Sequence, residues 1–195
     1  MIYRNQINPP STPDFTGIID GEQLALISNL RQLWMQLAIW SRSLIVSTAG
    51  NLRDIPMITD RLMQLPEAFA AVLGQYFEPQ EADRFRELLE EHIAIMLALV
   101  SAEKNNDVRT VNQETMNLYE NANRIAAVLV SVNSYWNNEQ WQIILDDYNE
   151  MLLADLVARM AGVYAKEIVI FDDLQTQAIK SADYMAQGMM RKFHP

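Results

Sequence analysis

The stretch Leu30-x-x-Leu33-Trp34-x-x-Leu37 decides the fold of this chain, because its apolar residues recur three and four positions apart. That spacing places them on one face of an α-helix. The pattern returns 55 and then 56 residues later, as Phe85-x-x-Leu88-Leu89-x-x-His92 and as Trp141-x-x-Ile144-Leu145-x-x-Tyr148. The three copies predict long amphipathic helices around a shared core, arranged as two pseudo-repeated halves.

The composition also favours an all-α fold. The chain has 195 residues, half of them hydrophobic, with only six Gly and seven Pro. We predict an antiparallel bundle of about six helical pieces. Long helices are expected over about 21–48, 80–104, 108–131, 139–160 and 164–191, and Pro56 and Pro66 frame a helical turn and a short helix near 67–76. The first long helix carries one charged residue, Arg42, between Gln32 and Leu52, so it should be central and buried.

The breaks between the predicted helices also indicate the domain organisation. Residues 1–20 are predicted to form an N-terminal arm, because Asn8-Pro9-Pro10-Ser11-Thr12-Pro13 cannot continue a helix. Residues 21–195 are expected to form a single bundle domain, whose repeated halves cover about 21–104 and 107–191.

Charge and cysteine content exclude several classes of function. A formal net charge of −10 disfavours binding to nucleic acid and to an anionic membrane. Without Cys the chain has no disulfide, no catalytic thiolate and no Cys-ligated metal. It shows no secretion signal and no apolar run long enough to span a bilayer. We therefore expect a cytoplasmic protein.

The sequence lacks the motifs of the common catalytic sites. The six Gly are scattered, so they form neither a phosphate-binding loop nor a Gly-x-Ser-x-Gly turn. Two His leave little room for a Ser-His-Asp triad. We assign no catalytic residue and expect that the protein is not an enzyme.

His92 is the candidate metal ligand. Its register with Phe85, Leu89 and Met96 turns the ring inward, and a buried imidazole needs a hydrogen-bond partner or a metal. A single His is few for a metal site, and position 89 lacks the Glu of the Glu-x-x-His element of di-iron bundles. Two alternatives stay open: a satisfied core histidine, or a ligand to iron, manganese or zinc. The other histidine, His194, is expected at a frayed terminus.

Arg42 is the second unusual residue. A guanidinium on an otherwise apolar helix must reach water or meet a carboxylate. Asp183 and Glu120 are the candidate partners, because the residues that flank both of them are expected to be buried. The alternatives are an internal ion pair that fixes the register of the bundle, and a site in which Arg42, Glu120 and Asp183 bind an anion or another ligand.

Several motifs occur together in one group of proteins. They are Leu33-Trp34-x-Gln36-x-x-x-Trp40-x-Arg42, Leu88-Leu89-x-Glu91-His92, Tyr119-Glu120-Asn121-Ala122, Tyr135-Trp136, Phe171-Asp172 and Ala182-Asp183-Tyr184-Met185. Over about residues 24–193 the chain resembles a family of uncharacterised bacterial helical proteins, some of which are labelled acetylglutamate kinase. Such a kinase needs a glycine-rich α/β nucleotide fold, which this sequence does not contain.

The family is in turn similar to tandem metal-binding helical bundles, in which inward His and carboxylate side chains bind a metal pair. The resemblance implies His at the positions held here by Leu37 and Tyr148, and Asp at the position of Asn123. His92 and Asp183 match the family pattern. The resemblance thus implies a metal site that this chain has lost or keeps only in part.

Two functions are compatible with these observations. The first is a non-enzymatic cytoplasmic protein that acts through protein contacts, above all self-association, for which the Met185-x-x-x-Met189-Met190 stripe is one candidate surface. The alternative is a bundle that binds a metal or a small ligand at His92, with Arg42, Glu120 and Asp183 as neighbours. A polar cavity beside His92 would favour binding, and an exposed apolar patch would favour protein contacts.

Overall fold

A computed structural model describes residues 19–193, which form seven α-helices and no strand. The helices are α1 (Gly21–Gly50), α2 (Ile55–Leu62), α3 (Leu65–Leu73), α4 (Pro79–Lys104), α5 (Val108–Val132), α6 (Asn138–Met160) and α7 (Tyr164–Phe193). The prediction of an all-α bundle is confirmed. Nearly all of the predicted arm, and His194, lie outside the described residues.

Local sequence signals place the helix ends. The Asp20 carboxylate accepts a hydrogen bond from the backbone N–H of Gln23 at 2.8 Å, and the Gln23 side chain accepts one from the backbone N–H of Asp20 at 3.1 Å. This capping box satisfies two backbone donors at the start of α1. Asn51 ends α1 in the left-handed region, with φ 52°, which is a common way to stop a helix.

The segment between α1 and α4 differs from the prediction of one helical turn and one short helix. It forms two short helices, and each carries a proline in its first turn, Pro56 in α2 and Pro66 in α3. A proline in that position loses no intrahelical hydrogen bond, so it begins a helix instead of breaking one.

Helix α1 is central, as predicted. It packs against α2, α3, α4, α6 and α7, and between residues 33 and 49 only Ile39 is exposed. The Trp34 ring meets the rings of Phe69 and Tyr148 edge-on, with centroids 5.7 and 5.8 Å apart. These contacts join α1 to α3 and α6 in one apolar core.

The Met stripe of α7 belongs to this core. Met185 and Met189 are fully buried, and Met190 is partly buried. The stripe is therefore not a docking surface. Within residues 19–193 no helix combines the length and the apolar character that crossing a bilayer requires.

Candidate functional site

The three repeated patterns end at the same place in the core. They lie on α1, α4 and α6, and their last residues, Leu37, His92 and Tyr148, line one cavity of about 20 Å³. All three side chains are buried. A cavity of this size has room for roughly one water molecule. Sequence positions about 55 residues apart thus form a single small site.

His92 is neutral in this site. Its Nδ1 atom is buried and has no hydrogen-bond partner among the described residues. Burial lowers the pKa of His92 to about 4, and the neighbouring Asn121 side chain raises it only in part. The imidazole therefore offers a lone pair or an N–H to the cavity at neutral pH.

Polar atoms of other buried residues surround His92. The Tyr148 hydroxyl is buried, and burial raises the pKa of Tyr148 well above its usual range, an effect that a hydrogen bond with Ser41 partly offsets. The Asn149 side chain, which also lines the cavity, lacks partners for both its amide atoms among the described residues. The cavity is thus mainly apolar, with a few hydrogen-bonding atoms directed at its walls.

These side chains do not fit the metal pair that the resemblance implies. Leu37 has no donor atom, and the Tyr148 phenol is neutral, so His92 is the one good ligand of the three. Within residues 19–193 no group of three His, Asp or Glu side chains is arranged to hold a metal ion. Asn123 is exposed and accepts a hydrogen bond from Gln142 at 2.9 Å.

Arg42 pairs with Glu167 and not with a predicted partner. Its Nε donates to Glu167 Oε1 at 2.7 Å, and its guanidinium carbon lies 4.7 Å from the centre of the Phe171 ring. Glu167 is almost fully buried. The internal ion pair that we considered for Arg42 is present, but its acid is at the start of α7.

The candidate ligand residues do not meet. Asp183 accepts hydrogen bonds at 2.6 and 2.8 Å from Arg31, and Glu120 is exposed. The expected pairing of Arg42 with either acid is wrong, because α7 runs antiparallel to α1. Its first turns lie beside the end of α1, and Asp183 lies beside the beginning.

Asp155 is a buried acid that we did not single out from the sequence. It is inaccessible to solvent, and neither of its carboxylate oxygens has a hydrogen-bond partner within residues 19–193. Burial and then the Glu167 carboxylate raise the pKa of Asp155 to about 6, against the opposing effect of Arg42 and Arg159. Arg159 lies 3.7 Å from Glu167 Oε2. Two acids and two arginines therefore form a charged cluster inside the bundle.

A periodic signal pointed to this cluster. Trp141, Tyr148 and Asp155 are spaced by seven residues, which keeps them on one face of α6. The face that buries Trp141 and Tyr148 must bury Asp155 too. Glu167 gave no comparable signal, because the residues on either side of it are exposed.

The start of α7 presents apolar side chains to solvent. Val163, Tyr164, Ile168 and Val169 are 48, 56, 53 and 60 % exposed. We call residues 163–173 the α7 surface. It is held to the core through Glu167, which points inward to Arg42.

Comparisons with protein-family models, curated proteins and solved structures find no match to this chain. The family resemblance described above therefore stays a prediction.

Proposed function

We propose that this is a non-enzymatic cytoplasmic protein that acts by self-association, and that two copies meet through the α7 surface. One observation carries the proposal: four large apolar side chains are about half exposed within seven residues, Val163 just before α7 and the other three in its first two turns. Single exposed apolar residues are common on protein surfaces, whereas contiguous ones mark interaction sites.

The charged residues of the α7 surface favour a second copy of this chain as the binding partner. Lys166 and Asp172 lie three residues before and three residues after Val169, and both are exposed. If two α7 helices cross antiparallel at Val169, Lys166 of each copy faces Asp172 of the other. A two-fold interface requires such self-complementarity. Asp173, exposed on the next position, adds to the negative side of each pair.

The size of the surface indicates a weak dimer. The four apolar residues expose roughly a few hundred Å², whereas a stable complex buries about 800 Å² per partner. The net charge of −10 also opposes association. We therefore expect a reversible monomer–dimer equilibrium that shifts with protein concentration.

Sedimentation equilibrium over a concentration series tests the proposal. Val169→Glu should abolish dimerisation, because it places a charge at the centre of the contact. The matched control is Met116→Glu on α5, which adds the same charge at a residue that is 60 % exposed and should dimerise like the parent chain. A strict monomer at all concentrations, or equal loss in both variants, would refute the proposal.

Charge reversal tests the antiparallel arrangement. Lys166→Asp and Asp172→Lys should each weaken the dimer, since like charges then face each other. Mixing the two single variants should restore a heterodimer, and combining both changes in one chain should restore a homodimer. Failure of both restorations would exclude this geometry.

A second candidate function is ligand binding at His92, and the buried Nδ1 atom without a partner favours it. Plasma mass spectrometry of the purified protein and of His92→Ala tests its metal-binding form. Near-stoichiometric iron, manganese or zinc that disappears in the variant would support a metal-binding bundle. Metal-free protein would leave His92 as a residue of the core.

A further inference from the structure

A groove opens at the end of the bundle where α1, α4 and α6 end and α7 begins. Its volume is about 450 Å³, and Lys104, Arg159 and Tyr164 are among the residues that line it. Sites for small molecules commonly have volumes of about 300–1,000 Å³. The groove is thus large enough for a small metabolite, unlike the cavity at His92.

Arg159 presents unused hydrogen-bond donors to this groove. Its side chain is 23 % exposed, and its closest acidic atom, Glu167 Oε2, is 3.7 Å away, which is longer than a hydrogen bond. The guanidinium carbon lies 4.9 Å from the centre of the Tyr164 ring, so the ring packs against the guanidinium group. A guanidinium held in this way can receive both oxygens of a carboxylate or a phosphate.

Lys104 adds a second positive charge. Its Nζ atom donates one hydrogen bond, to the carbonyl oxygen of Ala49 at 2.8 Å. An ammonium group has three N–H donors, so two are left for a ligand. Lys104 ends α4, and its contact with Ala49 holds it against the end of α1.

Several backbone carbonyls at this end of the bundle are already hydrogen-bonded. At the end of α6, the carbonyl oxygens of Val157 and Ala158 accept hydrogen bonds from the N–H groups of Ala161 and Val163, at 3.0 and 2.9 Å. Glu103 is the one acid that lines the groove. Arg159 and Lys104 give the groove two cationic side chains, although Arg159 also faces the buried acids Glu167 and Asp155.

We propose that this groove binds a small molecule through an oxyanion group, a carboxylate or a phosphate, with Arg159 as the bidentate donor and Lys104 as the second cation. The proposal does not rest on self-association, although Tyr164 belongs both to the groove and to the α7 surface.

Calorimetric titration with inorganic phosphate and with succinate tests it, with sodium chloride of equal ionic strength as the blank. We expect saturable binding of at least one of the two anions, and which one binds distinguishes a phosphate from a carboxylate ligand. Arg159→Gln should weaken this binding by at least about tenfold, since it removes a charge-assisted bidentate contact. Arg109→Gln, which removes the same charge from an exposed site on α5, should bind like the parent chain.

Lys104→Gln provides a second variant if Arg159→Gln does not fold, and it too should weaken binding. No saturable heat with either anion would overturn the proposal. Equal affinity in Arg159→Gln and Arg109→Gln would also overturn it, because the anion would then bind elsewhere.

Discussion

Asp155→Asn should stabilise this protein at neutral and alkaline pH. Asp155 is fully buried, its carboxylate oxygens have no hydrogen-bond partner among the described residues, and Glu167 is close enough to repel it. A carboxyl group whose pKa is raised by folding stabilises the folded state at low pH, and that stability is lost as pH rises through the folded-state pKa. The Asn side chain has nearly the same shape and never ionises.

The magnitude follows from the pKa. Burial raises the pKa of Asp155 from 3.8 to about 6, which corresponds to about 3 kcal/mol of lost stability at pH 8 and about half of that at pH 5. The advantage of Asp155→Asn over the parent chain should therefore grow by up to about 1.5 kcal/mol between pH 5 and pH 8.

Urea unfolding followed by circular dichroism at the two pH values measures this difference. The control is Asp60→Asn, which removes the same charge from an exposed position on α2, so changes shared by both variants report on net charge alone. If Asp155→Asn lowers stability by the same amount at both pH values, the ionised buried carboxylate is not the source of the instability, and the reasoning fails.

Three further predictions follow from other sites. Below pH 6.5 His92 should contribute a loss of stability that reaches about 3 kcal/mol at pH 4, because burial lowers the pKa of His92 to about 4 and the folded state resists protonation. Asp155 acts in the opposite direction over this range, so the loss is measured in urea unfolding as the difference between the parent chain and His92→Gln. Gly188→Ala should destabilise the fold by at least about 1–3 kcal/mol in thermal unfolding, because its Cβ would lie 1.9 Å from Trp136 Nε1. The double change Leu37→His with Tyr148→His should create a three-imidazole zinc site, detected by calorimetry and by a higher melting temperature with zinc, because both residues line the His92 cavity.

Each of these predictions has a control or an outcome that would contradict it. Gly21→Ala adds a methyl group where no atom lies within 4 Å, so it should leave the melting temperature nearly unchanged, and a loss as large as that of Gly188→Ala would contradict the packing argument. If the stability of His92→Gln falls with acid as steeply as that of the parent chain, the pKa of His92 is the same in the folded and unfolded states, and the prediction is wrong. For the zinc site, His92→Ala added to the double change should weaken binding, and its failure to do so would place the metal elsewhere.

The burial of His92 was readable from the sequence, and the rest of the candidate site depended on pairing between helices. The register of Phe85 and Leu89 put His92 in the core, because helical periodicity is a local property. The partner of Arg42 was not predictable in this way. It depends on which turn of α7 lies beside the end of α1, and several acids in the sequence satisfy the same local rule.

The amino-acid sequence by itself determined the helices, their caps and the buried stripe of each one, because hydrogen bonds and side-chain spacing within a helix involve residues at most four positions apart. Only the tertiary structure decided what those stripes form together. Convergence of Leu37, His92 and Tyr148 on one cavity, the pairing of Arg42 with Glu167, and the groove at Arg159 each join residues more than 50 positions apart or on different helices. Such contacts depend on the relative position of whole helices, which is set by the packing of the entire core.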